Sequence, residues 1–348
     1  MRNGRPCVCS FVPPHILRHI AEKGDARQRD LAHAALEIAD GVRAERRLVA
    51  NFVSALALSA SGKRRTVYDA LHGKTLPGRL IRGESDRPTR DVAANEAFDG
   101  SGITYDFYRK VLDRDSIDGR GMRLDSSVHF GKDYNNAQWN GRQMIYGDGD
   151  GKIFNRFTQA LDVIGHELTH GVTQHESGLI YEGQSGALNE SISDCFGAAF
   201  AQWLANKPAS DASGWLIGAG IMGPQAKAKG FTCLRDMVNP GATHCLSRQP
   251  ASYKDFDPTG DVHDNSGIPN RAFAAFAQNL GGNTYDMAIK VWYDACMSGL
   301  SSRATFADFA KATVAAAQKK SPAVATAATD AWHTVDLPVG SPDTALAA

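Results

Sequence analysis

The sequence predicts an α+β protein: a sheet-rich first part with an intervening helix, a mainly helical second part, and a short helical segment ahead of both. Three observations predict it. Residues 66 to 151 contain short alternating runs, such as Thr66-Val67-Tyr68 and Ser127-Val128-His129-Phe130, separated by clusters of Gly, Asp and Asn. Residues 158 to 315 carry helical periods instead, broken by glycine and proline loops at 209 to 214, 239 to 243 and 257 to 265. Residues 25 to 55 place Leu31, Ala34, Ala35 and Ile38 on one helical face and most of their charges elsewhere.

Taken in order, the leading segment ends in Ser59-Ala60-Ser61-Gly62-Lys63-Arg64-Arg65, a small and basic run with the composition of an exposed, protease-accessible link. A boundary is expected there, closing a segment of residues 1 to 60. Within the sheet-rich part, residues 91 to 112 read as the helix. That part extends through residue 173, and residues 174 to 337 form the mainly helical part. Residues 338 to 348 are Pro, Gly and small residues with little to bury and read as a flexible tail. No internal repeat is apparent.

Composition narrows the function. The 348 residues hold 38 Lys plus Arg against 38 Asp plus Glu, so no global field exists to hold a phosphate backbone, and no nucleic-acid partner is expected. No run reaches the roughly 18 to 20 apolar residues that span a bilayer. The first thirty residues lack a basic start followed by an apolar run and a small-residue cleavage site. Residues 48 to 60 imitate a signal core after Arg46 and Arg47, but no methionine stands just upstream. The expectation is a cytoplasmic protein or one exported by a non-classical route. Six cysteines (Cys7, Cys9, Cys195, Cys233, Cys245 and Cys296) are then expected as thiols, with Cys233 and Cys245 a candidate pair if the protein is exported.

The chemistry sits in His166-Glu167-Leu168-Thr169-His170, an H-E-x-x-H motif on a helix whose apolar positions are Leu161, Ile164, Leu168 and Val172. His166 and His170 are one turn apart and differ by about 40° in azimuth, so both imidazoles can reach one ion. Glu167 points about 60° to 100° away, where a base for metal-activated water should stand. A second helical run, opened by Asn189-Glu190-Ser191-Ile192-Ser193-Asp194, puts Glu190 and Asp194 on a shared face. A third, carboxylate ligand and an acid bonded to the outer nitrogen of a ligating histidine are what a catalytic zinc site requires.

These segments resemble the thermolysin-like neutral metallopeptidases and, within them, the protealysin type with a short propeptide. The resemblance runs from about residue 65 to 335. It rests on Leu76-Pro77-Gly78, Gly102-Ile103-Thr104-Tyr105-Asp106, Ser126-Ser127-Val128-His129, Tyr134-Asn135-Asn136-Ala137-Gln138-Trp139, Tyr146-Gly147-Asp148-Gly149-Asp150-Gly151, Gly178-Leu179-Ile180-Tyr181, Ser185-Gly186-Ala187-Leu188-Asn189-Glu190 and Asn265-Ser266-Gly267-Ile268-Pro269-Asn270. The start, Cys9-Ser10-Phe11-Val12-Pro13-Pro14-His15-Ile16-Leu17, is similar to the short propeptide. The resemblance implies a two-domain fold with zinc in the cleft and hydrolysis of protein or peptide substrates on the amino side of bulky hydrophobic residues. It implies His166, His170 and Glu190 as zinc ligands, Glu167 as general base, Asp194 and Asn189 behind the ligands, and Tyr181 and His263 as transition-state donors. Asn136, the carbonyl of Ala137 and Arg235 would hold substrate main chain, while Phe154, Phe157, Val163 and Leu234 line an apolar pocket. The propeptide would act as an intramolecular inhibitor, removed by cleavage around 55 to 65. Cys7 or Cys9 is a lesser candidate for a zinc ligand in the latent form.

Three departures accompany the resemblance. The acid that orients the catalytic histidine is replaced by Pro258, which leaves Asp257 or Asp261 to take that part. Asp162 remains from a calcium site, but Ala201 stands where another carboxylate belongs and residues 216 to 222 are neutral, so a double calcium site is not expected. Asp148-Gly149-Asp150-Gly151 imitates the start of an EF-hand loop, yet Gln159 stands where a bidentate glutamate is needed; a turn is the reading. The rival reading, a non-catalytic zinc-stabilised peptide-binding protein, would be favoured by loss of Glu167 or Tyr181, and both are present.

Overall fold

In a computed structural model, the chain is described over residues 9–49 and 62–339, with the side chains of Cys9 and of residues 40–49 excepted. Cys7, residues 50–61, which include the first part of the 55 to 65 stretch where propeptide removal is expected, and residues 340–348 of the expected tail lie outside the described residues.

Strand β1 is Cys9–Ser10, followed by α1 (Pro14–Lys23) and α2 (Ala26–Val49). Then come β2 (Arg65–Asp69), β3 (Arg79–Gly83), α3 (Val92–Leu112), β4 (Leu124–Val128), β5 (Ala137–Trp139) and β6 (Met144–Tyr146). All six strands form one mixed sheet in the order β1-β5-β6-β4-β2-β3. β2, β4 and β6 run parallel, β3 and β5 pair antiparallel with β2 and β6, and β1 adds itself antiparallel to β5. The leading segment therefore supplies an edge strand to a sheet built by residues far along the chain. Two residues have no strand propensity worth reading; the open edge of β5 makes them one.

The helix read at 91 to 112 is α3, whose N-cap Asp91 accepts from Ala94 N–H. The run expected to continue through His129 and Phe130 stops at Val128, because His129 takes a left-handed φ of 54° and turns the chain out of the sheet.

The first part closes with α4 (Leu161–His175), and the second part is helical: α5 (Gly183–Ala205), α6 (Pro224–Ala228), α7 (Val262–Asn265), α8 (Gly267–Leu280), α9 (Ala288–Cys296), α10 (Phe306–Gln318) and α11 (Pro322–His333), with a small ribbon of β7 (Leu216–Ile217) and β8 (Arg235–Asp236). The stretch 257 to 265, expected as a loop, ends as the single turn α7, because Asp261 caps it by accepting from His263 N–H. The cores of α4 and α5 are buried on nearly all sides, and two glycines set their close approach. A Cβ at Gly165 would meet the Phe200 ring at 2.7 Å, and one at Gly197 would meet the Asp162 carbonyl at 2.8 Å. That approach brings the motif of α4 against the acids of α5. Among the described residues, no helix is long and apolar enough to cross a membrane.

Candidate active site

His166 and His170 project from α4 with their Nε2 atoms 3.0 Å apart. Glu190 on α5 places one oxygen 3.4 Å from His166 Nε2 and the other 3.4 Å from His170 Nε2. All three side chains are fully buried. Their outer contacts fix which nitrogens face inward. His166 Nδ1–H donates to Asp194 at 2.8 Å, and His170 Nδ1–H donates to Asn189 Oδ1 at 2.8 Å. Asn189 is oriented by its own donation to the Leu179 carbonyl. Two imidazole lone pairs and a carboxylate thus converge, and the roughly 3.4 Å spacing is the edge of a tetrahedron of ligands about 2.0 to 2.1 Å from one ion. The donor set fits zinc.

Asp194 is a junction. It takes two hydrogen bonds from Arg235 at 2.7 and 2.9 Å and one from Asn270 at 2.9 Å, besides the one from His166. Burial would raise its pKa, but Arg235 and His166 hold it well below the usual carboxylate range. Burial likewise opposes the charge on Glu190, and His263 and His170 hold that carboxyl down at about 2. Glu167, the residue after His166, accepts from Trp139 N–H at 2.8 Å, which aims its carboxylate along the rim of β5.

Tyr181 donates to Glu190 and lies 3.1 Å from His263 Nε2. Of the two acids left open by Pro258, the structure brings Asp261 to the histidine: its Oδ1 is 2.6 Å from His263 Nδ1. Asp257 instead accepts from Thr259 within its own turn. Burial lowers the affinity of His263 for a proton, but Glu190 and Asp261 raise its pKa to about 9, so near neutrality it presents an Nε2–H.

The leading segment lies across this cluster. Phe11 N–H donates to the Ala137 carbonyl at 3.0 Å, Asn136 accepts from Val12 N–H at 2.8 Å and donates to the Val12 carbonyl at 3.2 Å, and Arg235 donates to the Phe11 carbonyl at 3.2 Å. His263 Nε2 is 3.0 Å from the Ser10 carbonyl. The Phe11 ring is wholly buried, edge-on to His166 at 5.1 Å, beneath the Arg235 guanidinium at 5.0 Å and close against Gly218. The Leu234 Cβ borders the same face of Gly218 as the Phe11 ring. Phe154, Phe157 and Val163 are fully buried, and residues 154 to 162 pack on 218 to 222 through Asn155–Ile221 and Gly218–Asp162 hydrogen bonds. Sequence reasoning missed Gly218, Trp139, Asn270 and Ser193, whose hydroxyl lies 3.0 Å from His170 Nδ1; each acts through a backbone group, a missing side chain or a distant hydrogen bond, which leaves no pattern in the sequence.

Asp148-Gly149-Asp150-Gly151 forms a turn, with Asp150 accepting from the backbone N–H groups of residues 152, 153 and 154. The thiols of Cys233 and Cys245 lie 3.7 Å apart, and Cys195, Cys233, Cys245 and Cys296 are free.

Buried helices that deliver two imidazoles and an acid to one point, with a carboxylate beside them, define a metallohydrolase. The family model described as thermolysin metallopeptidase, catalytic domain, matches residues 53–174, and that described as thermolysin metallopeptidase, alpha-helical domain, matches residues 177–337. An extracellular metalloprotease of Pectobacterium carotovorum subsp. carotovorum is 41% identical over 95% of this chain and 97% of its own. A thermolysin of Alicyclobacillus acidocaldarius subsp. acidocaldarius is 36% identical over 72% of this chain and 46% of its own. The solved structure of the precursor of protealysin, a metalloproteinase from Serratia proteamaculans, superposes with a TM-score of 0.84 at 42% identity, covering 94% of this chain and 99% of that one. The chain belongs to the thermolysin metallopeptidase family, whose members use zinc, and it is a metalloendopeptidase.

Proposed function

We propose that this neutral endopeptidase, made as a precursor, cleaves protein and peptide substrates on the amino side of bulky hydrophobic residues, and that residues 1 to 60 are a propeptide that keeps it latent. Residues 61 to 173 are then its α+β catalytic domain, which carries the H-E-x-x-H helix, and residues 174 to 337 its mainly helical domain. One observation carries the reading: Ser10, Phe11 and Val12 are held by His263, Ala137, Asn136 and Arg235 as an extended peptide would be, with Phe11 sunk in the pocket beside the zinc-ligand histidine.

His166, His170 and Glu190 hold the zinc, with Asp194 and Asn189 fixing the two imidazoles. Bound there, zinc supplies Lewis-acid polarisation of the substrate carbonyl and of a water, whose pKa falls toward about 7. Glu167, steadied by Trp139 N–H, takes the proton of the attacking water and passes it to the departing amine. Tyr181 and the charged His263 donate hydrogen bonds to the carbonyl oxygen as it becomes an oxyanion, contacts worth about 3 kcal/mol each. Asn136, the Ala137 carbonyl and Arg235 hold the main chain in register, and the pocket of Gly218 and Leu234, backed by Phe154, Phe157 and Val163, takes the hydrophobic side chain.

The rival reading, a zinc-stabilised protein that only binds peptides, has no use for a carboxylate at Glu167 or a phenol at Tyr181, and both stand at the cluster. Glu167→Gln tests the choice. The variant is expected to retain zinc, measured by elemental analysis, and to lose cleavage of casein and of a blocked dipeptide. Turnover near that of the parent would overturn the assignment.

A further inference from the structure

We propose that His72, His129 and Asp148 form a second zinc site, on the surface of the sheet-bearing part and separate from the catalytic cluster. The fold assembles it. β2, β4 and β6 are adjacent parallel strands, with Asp69 level with Val128 and Ser127 level with Ile145. His72 follows the end of β2, His129 the end of β4 and Asp148 the end of β6, so three consecutive loops leave the same edge of the sheet, the edge where ligands of parallel strands gather. Backbone hydrogen bonds knit them: His72 N–H donates to the His129 carbonyl and Phe130 N–H to the Tyr146 carbonyl. Leu71, His72 and His129 all hold left-handed φ values of 54° to 58°, a conformation that bulky residues rarely adopt.

The donor geometry is that of a metal site. His129 Nδ1 is 2.9 Å from both Asp148 oxygens, and His72 Nδ1 is 3.5 Å from Asp148 Oδ2. One donor atom from each of the three residues lies within 4.8 Å of the others. Asp91 stands behind: its Oδ2 is 2.8 Å from His129 Nε2, while its Oδ1 caps α3. With Nε2–H donated to Asp91, His129 turns a lone pair on Nδ1 toward the Asp148 carboxylate. Bare lone pairs cannot face each other at that distance, so either a proton or a metal ion lies between them. A proton would satisfy His129 alone. The His72 Nδ1 directed at the same oxygen adds nothing to a proton but completes a set of two imidazoles and a carboxylate, with an outer carboxylate orienting one imidazole, the pattern zinc takes. Two carboxylates balance the charge of the ion. The His72 side chain is 60% exposed, which leaves an entry path and room for a water ligand.

The test is a zinc count on the full chain, dialysed against buffered Zn2+ and measured by elemental analysis. Two zinc ions per chain are expected for the parent, and one for His72→Ala and for Asp148→Asn. Asp91→Asn, which keeps the helix cap, is expected to weaken the second zinc about 10- to 100-fold. Zinc-edge anomalous diffraction from crystals of the parent is expected to show a peak among His72, His129 and Asp148, and this measurement stands even if a variant fails to fold. A parent that saturates at one zinc, variants that keep two, or no anomalous peak at these residues would mean that the cluster is only an ion-paired histidine, and the proposal falls.

Discussion

One cluster of histidine and carboxylate is sealed between α4 and α5, and another lies open at the ends of β2, β4 and β6. In the first, His166, His170, Glu190 and Asp194 are almost completely buried; the outer nitrogens of the two histidines meet Asp194 and Asn189, Asp194 also accepts from Arg235 and Asn270, and Glu190 accepts from Tyr181. In the second, His72 faces water and the side chains of His129, Asp148 and Asp91 are between 22% and 30% exposed. The difference teaches where energy is committed. A buried charge must be matched by every neighbour or it destabilises the fold, whereas an exposed one leans on solvent and contributes little until an ion arrives.

The outer acid of each cluster offers the sharpest contrast. Asp194→Ala leaves Arg235 buried without its acid and His166 without its orienting bond. A loss of about 3 to 5 kcal/mol in unfolding free energy is expected by denaturant titration, together with about 10- to 100-fold weaker zinc binding. Removing the corresponding acid at the open site, Asp91, should leave peptide cleavage unchanged. If Asp194→Ala unfolds at the parent's denaturant midpoint, the contrast between the clusters is wrong.

The buried cluster also has a cover that the open one lacks. Phe11 fills the pocket next to His166, and transferring a phenylalanine side chain out of water contributes about 2 to 3 kcal/mol. Phe11→Ala should therefore loosen the propeptide by that amount and shorten the lag before casein hydrolysis by an order of magnitude or more. The lag is read by following activity and N-terminal mass together. An unchanged lag would show that Phe11 is not what seals the cleft.

How far each cluster could be read from the sequence follows from the same difference. His166 and His170 are four apart on a helix, so local periodicity alone faces them at one ion, and Glu190 with Asp194 repeats that spacing on the next helix. Nothing local joins His72, His129 and Asp148. They meet only because β2, β4 and β6 are neighbours in the sheet, a matter of topology that no spacing encodes. The N-terminal strand escaped for a related reason, since two residues become β1 only by pairing with Cys9 opposite Trp139 and Ser10 opposite Gln138. His129 escaped as a ligand because the alternating pattern assigns it to a strand that in fact ends one residue earlier.

Between the two extremes stands His263, buried like the first cluster but oriented by an acid that is partly open, with the Asp261 side chain 25% exposed. The sequence left Asp257 and Asp261 equal, and the choice is made by local folding: Asp261 caps α7, and the same oxygen that accepts His263 N–H also meets His263 Nδ1. The proton on His263 is opposed by burial and held by the negative charges of Glu190 and Asp261, which together place its pKa at about 9. If His263 must carry Nε2–H to assist the oxyanion, activity falls as pH rises through the pKa that His263 takes in the zinc-loaded enzyme. Asp261→Asn keeps an acceptor for the Nδ1–H and removes only the charge, so the alkaline limb of kcat/KM should move toward neutral pH by about one unit, with zinc content unchanged. A limb that stays in place while the maximal rate falls would mean that Asp261 positions the ring without tuning its charge, and would put His263 on the side of the buried cluster, where geometry counts for more than titration.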